Sequence, residues 1–105
     1  MVRGDVHAVN LPGGRGRAQS GRRYAVVVQA DSMLAMSTVA VCPTSQSARD
    51  ASFRPQVELK GATTHVLCEM VGHVDVRRLG KRIGHLRLEE IDAVDDALRL
   101  VLDLR

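Results

Sequence analysis

Aromatic residues are scarce in this chain of 105 residues, which has one tyrosine, one phenylalanine and no tryptophan. Modules that read single-stranded nucleic acid mainly by stacking need several exposed aromatic platforms, and Tyr24 and Phe53 do not supply them. Cysteine is almost as rare. Cys42 and Cys68 each sit among apolar neighbours, which suits reduced, buried thiols better than a disulfide-stapled scaffold. No apolar run approaches the roughly 20 residues of a membrane span. The N-terminus offers Arg3, Gly4 and Asp5 rather than an apolar stretch, so no secretory signal is expected and the cytoplasm is the expected location.

Other absences exclude particular chemistries. Gly13-Gly14-Arg15-Gly16 is not followed by Lys-Ser/Thr, so no nucleotide-cradling loop is expected. There is no Gly-x-Ser-x-Gly elbow for a serine hydrolase. His65, Cys68 and His73, even with Cys42, follow no common zinc-finger spacing, and neither a metal nor another cofactor is expected.

What the chain does have is segregated charge. The net charge of +3 hides Arg3, Arg15, Arg17, Arg22 and Arg23 against Asp5 alone in residues 1–30, and Arg77, Arg78, Lys81, Arg82 and Arg87 with no acid in residues 77–87. From Leu88 onward the sign reverses, with Glu89, Glu90, Asp92, Asp95, Asp96 and Asp103 against Arg99 and Arg105. Two basic stretches and an acidic tail suggest a protein with a positive face. The length suits one domain, 1–105, with a single core. A chain this small commonly buries further apolar surface by pairing with a second copy, so a homodimer is expected.

Asp5 to Leu11 reads as a first strand, broken by Pro12-Gly13-Gly14 into a glycine- and arginine-rich loop able to wrap an anion. Arg23 to Ala30 reads as a second strand whose consecutive valines imply cover on both faces. Asp31 to Ala35 fits a short helical turn capped by Asp31 or Ser32, and Ser37 to Cys42 a third strand. Pro43 to Pro55 is a polar loop containing Arg49 and Arg54; Gln56 to Lys60 and Thr64 to Val71 follow as two more strands, separated by Gly61. Ile91, Val94, Leu98, Val101 and Leu102 form the apolar stripe of a terminal helix, with acids in its first turn where the dipole favours them. Five or so strands and one helix make an α+β domain with a curled antiparallel sheet.

An arginine at the mouth of a strand and a hydroxyl at the end of its neighbour can converge on one phosphate. Arg23 and Thr44 have those positions here. Their context is Arg3-Gly4-Asp5-Val6, then Gly16-Arg17-Ala18-Gln19-Ser20-Gly21, then Arg23-Tyr24-Ala25-Val26-Val27-Val28, then Ser37-Thr38-Val39-Ala40-Val41 ending in Pro43-Thr44-Ser45. The second half runs Leu67-Cys68-Glu69-Met70-Val71, Asp75, Arg78-Leu79 and Ile83-Gly84-His85-Leu86 into the helix. In order and spacing these segments resemble the MazF/PemK toxins over nearly the whole chain.

The resemblance implies a small SH3-like barrel of the MazF and CcdB kind. It also implies a metal-independent endoribonuclease of a type II toxin-antitoxin system, an mRNA interferase that arrests growth. In such cleavage the 2′-hydroxyl of single-stranded RNA attacks the adjacent phosphorus, leaving a 2′,3′-cyclic phosphate and a 5′-hydroxyl. Arg23 and Thr44 are the catalytic positions it carries over. Arg15, Arg17, Gln19, Arg22 and Ser45 are the RNA-binding candidates, and His7 and His73 are candidate helpers in proton transfer. A MazE-like acidic antitoxin is the implied partner, and hydrogen bonds from the Arg15–Arg22 and Pro43–Arg54 loops would read most of the bases. The chain departs from the family pattern at Arg17, Ala18, Tyr24, Met70 and Gly72, where sequence preference and rate would be set. The alternatives are a CcdB-like toxin that docks on gyrase without cutting RNA, using the helix end Val101-Leu102-Asp103-Leu104-Arg105, and a degenerate non-catalytic member.

Overall fold

The computed structural model of the chain describes residues 1–11 and 21–105. Among them lie seven strands, β1 (Asp5–Leu11), β2 (Gly21–Val27), β3 (Thr38–Ser45), β4 (Gln56–Leu59), β5 (Ala62–Val66), β6 (Gly72–Asp75) and β7 (Leu79–His85). One helix, α1 (Leu88–Leu102), closes the fold, and single 3-10 turns occupy Asp31–Met33, Cys68–Met70 and Val76–Arg78. All pairings are antiparallel in the order β4-β5-β3-β2-β1-β7, with β6 also on β3. This is the expected small, curled antiparallel barrel with a C-terminal helix.

The sheet bends at β3. On one side Val41 to Pro43 pair with β2; on the other, Thr38 to Val41 pair with β6 and then Thr44 and Ser45 with β5. Thr44 therefore stands where β3 passes from one partner to the next.

The run Ala25-Val26-Val27 is buried on both faces, as its lack of alternation implies. Val26 joins Val6, Cys42, Val57, Val66 and Val94 in the core under α1, while Ala25 and Val27 join Val9, Val39 and Val41 in a second cluster on the opposite face. Cys42 and Cys68 are both free and buried in the first cluster. A hydrogen bond between the two thiols, together with burial, pushes Cys42 far above its ordinary range, so it packs as an inert apolar group.

At the N-terminus Gly4 adopts φ +95°, and a side chain there would meet Ile91 Cδ1 at 2.8 Å. Only glycine lets the chain pass this close to α1. The next residue, Asp5, is buried and accepts from the Val2 amide at 2.9 Å, Arg82 Nε at 2.9 Å and His85 Nδ1 at 2.8 Å. Burial alone would raise its pKa, but these three donors outweigh it and hold the carboxyl at about 2.

The structure corrects the sequence reading at several points. β2 starts earlier and ends at Val27, because Gly21 and Arg22 pair with Leu11 and Asn10. β3 continues through Pro43 to Ser45 rather than stopping at Cys42. The strand expected from Thr64 to Val71 ends at Val66 and turns at Cys68–Met70. β6 and β7 were not anticipated. The turn at Asp31 has Ala30 at its N-cap and no side-chain cap, because the Asp31 carboxylate accepts from the Arg3 amide at 2.6 Å instead. Leu102 is half-exposed and outside the apolar stripe, and Ala97 is buried beside Val94 in its place.

Candidate active site

Arg23 and Tyr24, the third and fourth residues of β2, Thr44 and Ser45 at the end of β3, Gln46 and Ser47 just beyond, and Leu59 and Thr64 of the β4–β5 hairpin line one cavity of about 460 Å3. Register explains the convergence: Ala25 lies opposite Pro43, which sets Tyr24 opposite Thr44, and Thr44 in turn pairs with Val66.

Arg23 is exposed and pairs across β1 with Val9. No carboxylate partner for it occurs among the described residues, and residues 12–20 contain no acid. Thr44 is 5% exposed and its Oγ1 donates to the Tyr24 carbonyl at 3.0 Å. It is thus part of the wall's hydrogen bonding as well as of its surface. Its hydroxyl must leave the Tyr24 carbonyl before it can donate to a bound group. Ser45 lines the cavity and its hydroxyl is 3.3 Å from that of Ser47.

The other candidates are placed differently. Arg15, Arg17 and Gln19 lie outside the described residues; Arg22 pairs with Asn10 on β1. His7 is not in the cavity lining: its Nδ1 donates to the Gly80 carbonyl at 3.0 Å and its buried Nε2 has no partner among the described residues. His73 is exposed on β6 opposite Ala40, roughly 13 Å along β3 from Thr44 at the usual rise per residue. Arg54 is committed to Glu69, at 2.7 Å through Nε, and stacks over Phe53, so it is not free to read bases as the loop's composition implied. Among the described residues no group of three His, Cys, Asp or Glu side chains is placed to hold a metal ion.

Nothing in the sequence pattern points to the role of His65. It is buried on β5, and its Nε2 lies 2.6 Å from Asp50 Oδ1, which also accepts from Gln56 at 3.0 Å. His65 first, then Gln56, hold the Asp50 carboxyl below its usual range. This latch ties down the loop that carries Gln46 and Ser47 into the cavity wall. Gln46 and Ser47 belong to the Pro43–Arg54 loop expected to read bases, though neither stands out individually, and Leu59 and Thr64 are not foreseen; only the strand register, absent from the sequence, brings them to Arg23.

A curled antiparallel barrel with an acid-free arginine and a strand-end threonine in one cleft defines a class, and comparison with known proteins gives it a name. The model of the PemK-like, MazF-like toxins of type II toxin-antitoxin systems matches residues 2–102. The chain belongs to this toxin family. It is 36% identical over 106 residues to a Mycobacterium tuberculosis protein named as a candidate toxin, covering 99% of both chains. It is 35% identical over 117 residues to the endoribonuclease MazF9 of the same organism, covering 99% of this chain and 98% of that one. Among solved structures, a mycobacterial endoribonuclease in complex with its cognate antitoxin superposes with a TM-score of 0.85 at 16% identity, over 100% of this chain and 97% of that one.

Proposed function

We propose that this toxin is a metal-independent endoribonuclease that cuts single-stranded mRNA by in-line attack of the 2′-hydroxyl. The observation that carries the reading is the shared cavity of Arg23 and Thr44. The Arg23 guanidinium, with no internal carboxylate, donates in a planar fork to two oxygens of the scissile phosphate and holds the charge that develops on them. Thr44 Oγ1 turns from the Tyr24 carbonyl to one of these same two non-bridging oxygens. Ser45 and the loop bearing Gln46 and Ser47 hold the strand on either side. The cyclic phosphate and 5′-hydroxyl then leave as separate ends.

His7 and His73 lie outside the lining, which leaves proton transfer to Arg23, to water or to residues beyond the described set. Arg15, Arg17, Gln19 and Arg22 lie on or beside the segment that enters β2, and in this reading they grip flanking phosphates. The relatives named endoribonuclease support the activity, and the complex of a structural neighbour with its cognate antitoxin supports an antitoxin partner; from the basic segment we infer that this partner is acidic and competes with RNA. We place the active form as a cytoplasmic homodimer, since Leu88, Leu100 and Leu104 of the terminal segment are left more than half exposed. No helix of the described residues is long and apolar enough to cross a membrane.

Incubation of the purified protein with a long single-stranded RNA in EDTA tests the proposal. Discrete fragments with 5′-hydroxyl ends are expected from the wild type. Intact RNA, with gyrase stalled by the same preparation, would move the protein to the gyrase-docking alternative.

A further inference from the structure

Tyr24, the chain's one tyrosine, is 36% exposed in the wall of the cavity that holds Arg23 and Thr44. It belongs to neither core cluster, so packing does not explain an aromatic ring at this point. Opposite it, the β4–β5 hairpin turns at Lys60-Gly61 with both residues at positive φ, 52° and 77°, as in a type I′ turn. Glycine takes this conformation freely. Lysine does so at a cost, and asparagine or aspartate is the usual first residue. The consequence of having lysine there is that its ammonium stands 5.9 Å from the centroid of the Tyr24 ring, within cation–π range. Leu59, just before the turn, lines the cavity, so Lys60 stands at the rim.

We propose that Tyr24 and Lys60 form a base-and-phosphate subsite next to the scissile position. A nucleobase stacks on the Tyr24 ring while the Lys60 ammonium pairs with a flanking phosphate. The proposal rests on reading the cavity as an RNA cleft. Arg23 and Tyr24 line the same cavity, so a nucleotide whose phosphate is held by the guanidinium has its own base, or its neighbour's, within reach of the ring. Every base has a π-face. The subsite therefore fixes the register of the strand and favours purines modestly, without hydrogen-bond readout. One well-placed ring serves where composition alone argued against stacking.

Because the chain has one tyrosine and no tryptophan, tyrosine fluorescence reports this ring alone. The wild-type protein is titrated with a dye-labelled, uncleavable 2′-O-methyl oligoribonucleotide, following anisotropy for binding and tyrosine emission for the ring. Saturable quenching with the same midpoint as the anisotropy is expected. Tyr24→Leu should raise KM for a cleavable oligonucleotide about tenfold, the usual loss for one stacked base, and move kcat much less, and Tyr24→Phe should recover most of that loss. Lys60→Gln, on an exposed turn, should lower the salt slope of binding by about 0.7, one phosphate contact on a single strand. An oligonucleotide that binds without changing tyrosine emission overturns the subsite and leaves the RNA reading standing. Absence of both binding and cleavage overturns both.

Discussion

Arg23 and Arg82 flank the same strand, on β2 and β7 either side of β1, yet their surroundings are opposite. Arg82 donates to the buried Asp5 at 2.9 Å. Elsewhere in the second basic stretch Arg77 pairs locally with Asp75 at 2.8 Å and Arg87 with Glu89 at 2.9 Å and Glu90 at 3.4 Å, while Arg78 and Lys81 have no ion pair among the described residues. In the first stretch, Arg3 is taken by Asp95 at 2.6 Å, whereas Arg23 has no carboxylate among the described residues and none is encoded in residues 12–20. Basic residues in the two stretches therefore do two different things. On β7, Arg82 is spent on the buried Asp5 and pins the edge strand to β1; on β2, Arg23 is left for a ligand from outside.

The largest expected difference between the two is in what a truncation removes. Arg23→Ala should cut the cleavage rate about 100- to 1000-fold, the usual loss of a donor aimed at developing charge, while the melting temperature moves by less than about 3 °C. Asp5→Ala should do the reverse. It leaves a buried cluster of donors without their acceptor and should cost about 3 kcal/mol, seen as a fall of more than about 10 °C in melting temperature. A folded Arg23→Ala protein with wild-type cleavage, or an Asp5→Ala protein of unchanged stability, would break the distinction.

Acid should reach the junction of β1 and β7 first. Asp5 titrates at about 2 in the folded protein against 3.8 when unperturbed, so its contribution of about 2 kcal/mol is complete above pH ~4 and is lost as pH falls through about 2. Urea midpoints measured between pH 6 and pH 2 should drop on the acid side, and Asp5→Asn should flatten that drop. An identical pH profile in the variant would remove Asp5 from the account.

Thr44 belongs to both regimes. Because its hydroxyl is buried and donates to the Tyr24 carbonyl, Thr44→Ala should cost about 1 kcal/mol of stability in addition to activity; calorimetry and cleavage on one preparation separate the two losses. Thr44→Ser should keep the hydrogen bond and most of the stability. The smallest effect is expected at Arg77, which is exposed and paired locally with Asp75. Arg77→Ala should leave both cleavage and melting temperature at wild-type values, and a clear loss of cleavage would show that the second basic stretch also meets RNA.

The parts of the fold that were legible in the sequence are those with one dominant pattern. The Val26-Val27 run announced a strand covered on both faces, and the spacing of Ile91, Val94 and Leu98 announced α1. β7 was not legible, because Leu79-Gly80-Lys81-Arg82-Ile83-Gly84-His85 has two glycines, two strong cations and no alternation. It is an edge strand held by pairing with β1 across register shifts, and edge strands often carry charge to discourage further pairing. At the site, Arg23 and Thr44 were visible because each ends an apolar run. Thr64, Gln46 and the His65–Asp50 latch depend on which strand lies beside which. Lys60 was hidden for a different reason: the turn was marked by Gly61, but nothing local shows what a lysine in that turn faces.

The salt dependence of binding tests most directly whether Arg23 faces an external phosphate. For an uncleavable single-stranded RNA, the slope of log affinity against log salt should fall by about 0.7 in Arg23→Ala relative to the wild type, and remain unchanged in Arg77→Ala. A wild-type slope in Arg23→Ala, or an equal fall in both variants, would contradict the division between arginines paired with acids of the chain itself and the arginine that works on RNA.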